Sequence, residues 1–381
     1  MNKYQKREKS DMNTTQKLFE LGQSVWYDNI QRSLLQNGEL AGMITRGEIR
    51  GVTSNPSIFM NAITKSTDYD NSLLPLKGSA LSAEEVFFKL AIEDIQAATD
   101  LFSTLYQQSN AGDGYVSLEV SPYIADDTQE TVRQAKDLWE RVDRPNLMVK
   151  IPATKAGMPA IEEAIFAGVN VNVTLIFALD QYQEVMKAYI RGLERRAEAG
   201  LPLDKIASVA SFFVSRIDTK VDKHLQKIID ENAEYSATAQ SLLGKIAIGN
   251  AKLAYEMYKT VFFSDRFLKL KQKGAKIQRP LWASTSTKNP AYRDVIYVEE
   301  LIGPDTVNTI PPQTLAAFLD HGVVADTLEK DVDAASQVMN DLEILGISMK
   351  QVTDELLDEG VKAFADAFDV LLEAIETRRK A

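Results

Sequence analysis

Short apolar runs alternate with longer amphipathic stretches along most of the chain. The runs lie at 24–28 (SVWYD), 49–55 (IRGVTSN), 114–120 (GYVSLEV), 146–152 (NLMVKIP), 169–177 (VNVNVTLIF), 206–214 (IASVASFFV), 279–285 (RPLWAST) and 306–310 (TVNTI). They predict eight strands. DVIYVEELIG at 294–303 competes with TVNTI for the eighth place. Helix-period patterns fill the gaps. SAEEVFFKLAIEDIQAATDLF opens with Ser82 and Glu85 at capping-box spacing, and DTQETVRQAKDLWERV repeats this with Asp127 and Glu130. DQYQEVMKAYIRGLERRAEAG starts at the cap candidate Asp180 and stops at Gly200. SLLGKIAIGNAKLAYEMYKTVFF reads as one long helix. Its Gly244 and Gly249 have the separation of a phosphate loop, but Asn250 and Ala251 follow where Lys and Ser or Thr are needed.

Eight strands alternating with helices predict a (β/α)8 TIM barrel with additional helices and a helical C-terminal extension. Such a barrel takes about 250 residues. The surplus in this chain of 381 falls at 56–112, at 215–278 and after about 320. The last of these, from Ser348 to Arg379, is strongly amphipathic and predicts a helix on the barrel exterior. A single domain is expected over 13–381, after a polar, disordered stretch at 1–12.

Composition narrows the chemistry. The chain is 45% hydrophobic and 25% charged, with a formal net charge of −11 and no cysteine. The charge argues against a general nucleic-acid binder. The absence of cysteine removes disulfides, thiolate nucleophiles and cysteine-held metals. With no leader pattern and no long apolar run, the expectation is a cytoplasmic protein without a membrane span. The two histidines, His224 and His321, fall on polar helical segments. A serine–histidine–aspartate triad or a histidine-rich metal site is therefore not expected, and acid–base work falls to carboxylates, lysine or tyrosine.

One residue does not fit its surroundings. Lys150 sits inside NLMVKIP, whose two faces both carry apolar bulk. A strand lysine ordinarily points to solvent or snorkels. In a barrel, however, the C-terminal ends of the strands face the active site. Polar residues gather at those ends: Asp28, Thr53 and Asn55, Glu119, Lys150, Asn172 and Thr174, Ser211, Arg216, and the ASTSTKN segment. Individually these residues suit caps, turns and loops. Aimed into one cup, they suit amine catalysis. Burial favours the neutral form of an amine, which attacks ketones to give a Schiff base. The protonated imine then draws electrons from a neighbouring carbon–carbon bond. Asp28 and Glu119 are the acid–base candidates, the amides and hydroxyls suit a polyhydroxylated substrate, and Arg216 suits a phosphate. The residues describe a lysine-dependent aldolase or aldol transferase acting on sugar phosphates.

GVTSNPSIF, VSLEVSP, LMVKIPAT, GVNVNVTLIF, SFFVSRID and LWASTSTKNP resemble the successive strand motifs of the transaldolase family, in that family's order over roughly 24–320. ELIGPDTVNTIPPQTL and the helical end resemble its longer bacterial subfamily. The resemblance implies a cofactor-free transfer of a dihydroxyacetone unit from sedoheptulose 7-phosphate to glyceraldehyde 3-phosphate, within the non-oxidative pentose phosphate pathway. It implies that Lys150 is the Schiff-base lysine and Asp28 the acid–base group of cleavage, with Glu119 and Thr174 positioning a water. Asn55, Thr53, Asn172 and Ser211 would bind hydroxyls, Phe213 would line the pocket and Arg216 would bind phosphate. Where many members carry a second arginine after strand seven, this chain has Ser286 and Lys288. A fructose-6-phosphate aldolase-like lyase would use the same residues. A non-catalytic phosphosugar-binding barrel would not need Lys150, Asp28 and Glu119 together. Monomer and homodimer both remain open.

Overall fold

Seven parallel strands form one sheet in the order β1-β7-β6-β5-β4-β3-β2. They are β1 (Gln23–Tyr27), β2 (Val116–Glu119), β3 (Leu147–Pro152), β4 (Val171–Ile176), β5 (Ser208–Phe213), β6 (Gln278–Ala283) and β7 (Thr306–Ile310). The computed structural model describes residues 12–380, so residues 1–11 of the stretch expected to be disordered lie outside the described region. Nearly every strand residue is buried. A parallel sheet covered by helices needs apolar side chains on both faces, which explains the near-continuous apolar runs.

The expected strand at 49–55 is not a regular strand. Val52 bridges Tyr27 at one end of the sheet and Val116 at the other. Around it, Arg50 N donates to Val25 O (2.7 Å), Thr53 N to Tyr27 O (2.9 Å) and Val52 N to Tyr115 O (2.9 Å). Gly51 lies against the Trp26 ring, where a Cβ would come within 2.7 Å. Two residues after Thr53, Asn55 caps the helix Pro56–Thr64 by accepting from Ile58 N.

The helices match the sequence reading in most places and correct it in three. Ser82 and Glu85 form a reciprocal capping box on Ala83–Gln108, and Asp127 accepts from Glu130 N at the start of Thr128–Val142. Asp180, however, is inside the first turn of Leu179–Glu198, whose cap is Ala178. The Gln181 side chain accepts from Phe177 N and Ala178 N there. The long helix expected across 241–263 is broken into Ser236–Leu242 and Ile246–Phe262. Gly244 adopts φ +71° at the break, a conformation that favours glycine, against the ring of Tyr292. In the competing segment 294–303, Ile296–Glu299 is a short helix, which leaves the strand at Thr306–Ile310.

The third correction bears on function. Met349–Lys380 is one helix, but it crosses the C-terminal ends of the strands instead of lying on the exterior. It packs on Pro56–Thr64, Ala83–Gln108 and β4. Lys220 Nζ holds Glu355 at 2.7 Å and Glu359 at 2.5 Å, and the Tyr123 hydroxyl donates to Asp369. His224 and His321 are exposed, as expected. Among the described residues, no helix is long and apolar enough to cross a membrane.

Candidate active site

The parallel register sets Glu119, Lys150 and Asn172 side by side on three adjoining strands. Paired residues of neighbouring strands share a face, so all three point the same way. Lys150 is only 5% exposed. Its Nζ donates to Ser54 O at 3.0 Å and lies 3.6 Å from Glu119 Oε2. The ammonium is thus held by one carbonyl and by an ion pair too long for a close hydrogen bond.

Burial pushes the Glu119 carboxyl up to about 7, with nearby Lys150 opposing the rise and Asp28 adding to it. A carboxyl in that range can both give and take a proton near neutrality. Its Oε2 and the Oγ1 of Thr174 are buried without a hydrogen-bond partner among the described residues. Unsatisfied oxygens of this kind are rare in folded proteins and are common where a ligand completes the pairing.

Asp28 follows β1 directly. Its amide donates to Ile310 O at 2.9 Å, and its Oδ1 accepts from Thr53 Oγ1 at 2.6 Å. Burial raises the carboxyl above its ordinary range, against the pull of the Thr53 hydrogen bond and of Lys150, Arg216 and Lys288. Arg216 opens the helix Ser215–Glu231 immediately after β5. Its guanidinium lies over the Phe213 ring, 5.2 Å from the centroid. Among the described residues it forms no ion pair or hydrogen bond. Burial works against its charge, while Asp28 and Glu359 support it. Lys288 donates to Ser286 Oγ at 2.6 Å, and burial and Arg216 lower its affinity for a proton.

These residues surround one cavity of about 140 Å³. Asp28, Thr53, Asn55, Lys150, Thr174, Ser211, Phe213, Arg216, Ser286 and Lys288 all line it. Two expected site residues do not. Glu119 sits beside Lys150 behind the wall. Asn172 is fully buried, donating to Ser117 Oγ (3.0 Å) and accepting from Ser211 Oγ (2.7 Å). Its amide therefore bridges two strands beneath the cavity.

The structure also adds wall residues that sequence reasoning passed over. Thr309 and Pro311 follow the same strand-end rule on β7. Ser284, at φ +55°, ties the end of β6 to the Arg216 helix by accepting from Ser215 N at 3.0 Å. Phe364 comes from the C-terminal helix, and no local pattern announces it. Among the described residues, no cluster of His, Cys, Asp or Glu suits a metal ion.

An amine between two carboxyls in a cavity with a free guanidinium can carry out imine formation and retro-aldol cleavage on an anionic carbonyl compound. Comparison with known proteins agrees. The sequence model of the transaldolase/fructose-6-phosphate aldolase family matches residues 25–375. A transaldolase of Trichodesmium erythraeum is 46% identical over 366 residues, covering 94% of this chain and 96% of its own. A transaldolase of Thermobifida fusca is 47% identical over 361 residues, covering 94% and 96%. One from Mycolicibacterium smegmatis is 46% identical over 356 residues, covering 93% and 94%. The chain belongs to the transaldolase/fructose-6-phosphate aldolase family.

Proposed function

We propose that this transaldolase-family enzyme moves a dihydroxyacetone unit from sedoheptulose 7-phosphate or fructose 6-phosphate to an aldose phosphate through a Schiff base on Lys150. The observation that carries the reading is the shared register of Lys150 and Glu119, with Asp28 across the same cavity. In its neutral form the Lys150 amine attacks the ketone carbon. Glu119, with Thr174, passes the protons that expel water from the carbinolamine and later return it. Asp28 takes the proton from the hydroxyl beside the scissile bond. The bond's electrons flow to the iminium nitrogen, and an aldose phosphate leaves. The reverse steps join the retained unit to a new aldehyde.

Arg216, unpaired among the described residues, takes the phosphate in a two-pronged grip, and Lys288 with Ser286 supplies the second contact. Asn55, Thr53 and Ser211 hold hydroxyls, and Asn172 fixes Ser211 from behind. No cofactor is needed. The reaction places the protein in the non-oxidative pentose phosphate pathway of the cytoplasm. We read the 50–53 segment as the eighth stave of a closed (β/α)8 barrel within one domain.

Borohydride treatment with fructose 6-phosphate tests the reading. A three-carbon adduct on Lys150 is expected, together with loss of turnover in Lys150→Ala. An adduct on Lys155 or Lys288 would overturn the assignment. The lyase alternative differs only in how readily the retained unit is released without an acceptor.

A further inference from the structure

One wall of the cavity does not come from the sheet. Among the described residues, Phe364 and Phe213 are the only two aromatic residues in the lining, and of the lining residues only Phe364 belongs to the C-terminal helix. It is 4% exposed. The helix is fastened on both sides of it, by Lys220 to Glu355 and Glu359 before and by Tyr123 to Asp369 after. One turn beyond, Phe368 packs edge-on against Phe87 and Tyr123, with centroids 5.2 and 5.3 Å apart. One turn earlier, Gly360 lets the helix come close. A Cβ there would lie 2.9 Å from Leu175 Cδ2 and 3.6 Å from Arg216 Nη1. Leu175, the residue that meets Gly360, sits at the irregularity in β4 with φ +59°. Close approach at 360 and insertion of a ring at 364 are therefore parts of one arrangement.

We propose that Phe364 decides the fate of the three-carbon unit on Lys150, shielding it from water and small acids until an aldehyde acceptor binds. The inference rests on the Schiff-base reading above. After cleavage, the unit is an enamine on the Lys150 nitrogen, with an electron pair available at carbon. In transfer, that pair forms a carbon–carbon bond with the acceptor's carbonyl carbon, and the carbonyl oxygen takes up a proton. In release, the pair takes a proton from water or a small acid and forms a carbon–hydrogen bond. The resulting iminium adds water, the Lys150 amine leaves, and dihydroxyacetone departs carrying the oxygen of that water. Both branches start from one species. An apolar ring fixed in the wall of the same cavity lowers access for the second branch, because excluding water suppresses such side reactions.

The test uses Phe364→Ala and Phe364→Leu in the full chain with fructose 6-phosphate as donor and erythrose 4-phosphate as acceptor, so that transfer gives sedoheptulose 7-phosphate. Free dihydroxyacetone is measured against transfer product, and borohydride trapping is run on each protein. The ratio of release to transfer should rise about tenfold or more in the alanine variant and less in the leucine variant, a size typical of one apolar pocket contact. Lys150 should remain trappable in both. A purely structural role for Phe364 would lower both products together and leave the ratio unchanged, which would overturn the proposal. If the alanine variant is not recovered folded, the leucine variant decides: a raised ratio supports the proposal and an unchanged one overturns it. No adduct on Lys150 in the unaltered protein would instead sink the Schiff-base reading itself.

Discussion

Two clusters of buried charge sit at opposite ends of the same strands, and they are built in opposite ways. Near the N-terminal ends, Asp113 is 2% exposed and takes four donors. Ser24 Oγ (2.8 Å) and Arg50 Nε (2.7 Å) serve one oxygen, and Arg279 Nη2 (3.0 Å) and Trp26 Nε1 (3.3 Å) serve the other. Near the C-terminal ends, Glu119 is 7% exposed and has one cation at 3.6 Å, with an oxygen left unbonded. The first carboxylate is fully satisfied and has no capacity for another partner. The second is buried with too few partners to offset the loss of water, which raises its proton affinity. The same β1, 50–55 and β6 segments feed both ends, so the difference lies in pairing and not in burial.

The sharpest way to break this comparison is at Asp28. Asp28→Asn should slow carbon–carbon cleavage by about 10²–10⁴-fold, the usual contribution of a general acid–base group. Substrate binding and the unfolding midpoint should change little. Normal turnover would make Asp28 as structural as Asp113. At the other end the pattern inverts. Asp113→Ala leaves Arg50 and Arg279 without their carboxylate and should remove about 3–5 kcal/mol of stability in urea. Turnover per folded molecule should persist.

Glu119 provides a finer test through pH. Its folded carboxyl is pushed up to about 7 from an ordinary 4.5, so the folded state holds the proton more tightly than the unfolded one. The associated stability is present below about 4.5 and is lost as pH rises through about 7. Between pH 5 and 8, wild type should lose up to about 3 kcal/mol relative to Glu119→Gln. Taking that difference removes the parallel effect of Asp218, also pushed up to about 7 by burial. A flat difference across the window would mean Glu119 titrates normally. The smallest effect concerns the phosphate. Arg216→Ala should cost roughly 1.5–3 kcal/mol, or about 10–100-fold in kcat/KM, on phosphorylated donors. Unphosphorylated donors should be nearly unaffected, and equal losses on both would make the arginine structural.

Much of this was legible in the sequence because strand periodicity and the polar strand ends are local signals. Seven strands fall within a few residues of their apolar runs, and ten expected site residues line one cavity. What was missed depended on neighbours distant in sequence. Trp26 packs against Gly51 in the short 50–53 pairing, and Tyr292 sits at the break at Gly244. Alternation put Asn172 on the same face as Thr174, but not at a depth where Ser117 and Ser211 occupy its amide. The amphipathic stripe of the C-terminal helix showed that one face is buried, but not that Phe364 meets the cavity.

The 50–53 segment has a consequence for how activity is acquired. Its partners are distant in sequence: Val25 and Tyr27 on one side, Tyr115 and Ser117 on the other. Pairing across such separations follows the formation of local helices, because loop closure must come first. The same few residues continue into Thr53 and Ser54, which hold Asp28 and Lys150. The peptide that joins the two ends of the sheet is therefore also the one that brings the acid and the amine into place. During refolding from urea, helical signal should return before catalysis does, since local helices do not wait for this pairing and the proposed acid and amine do.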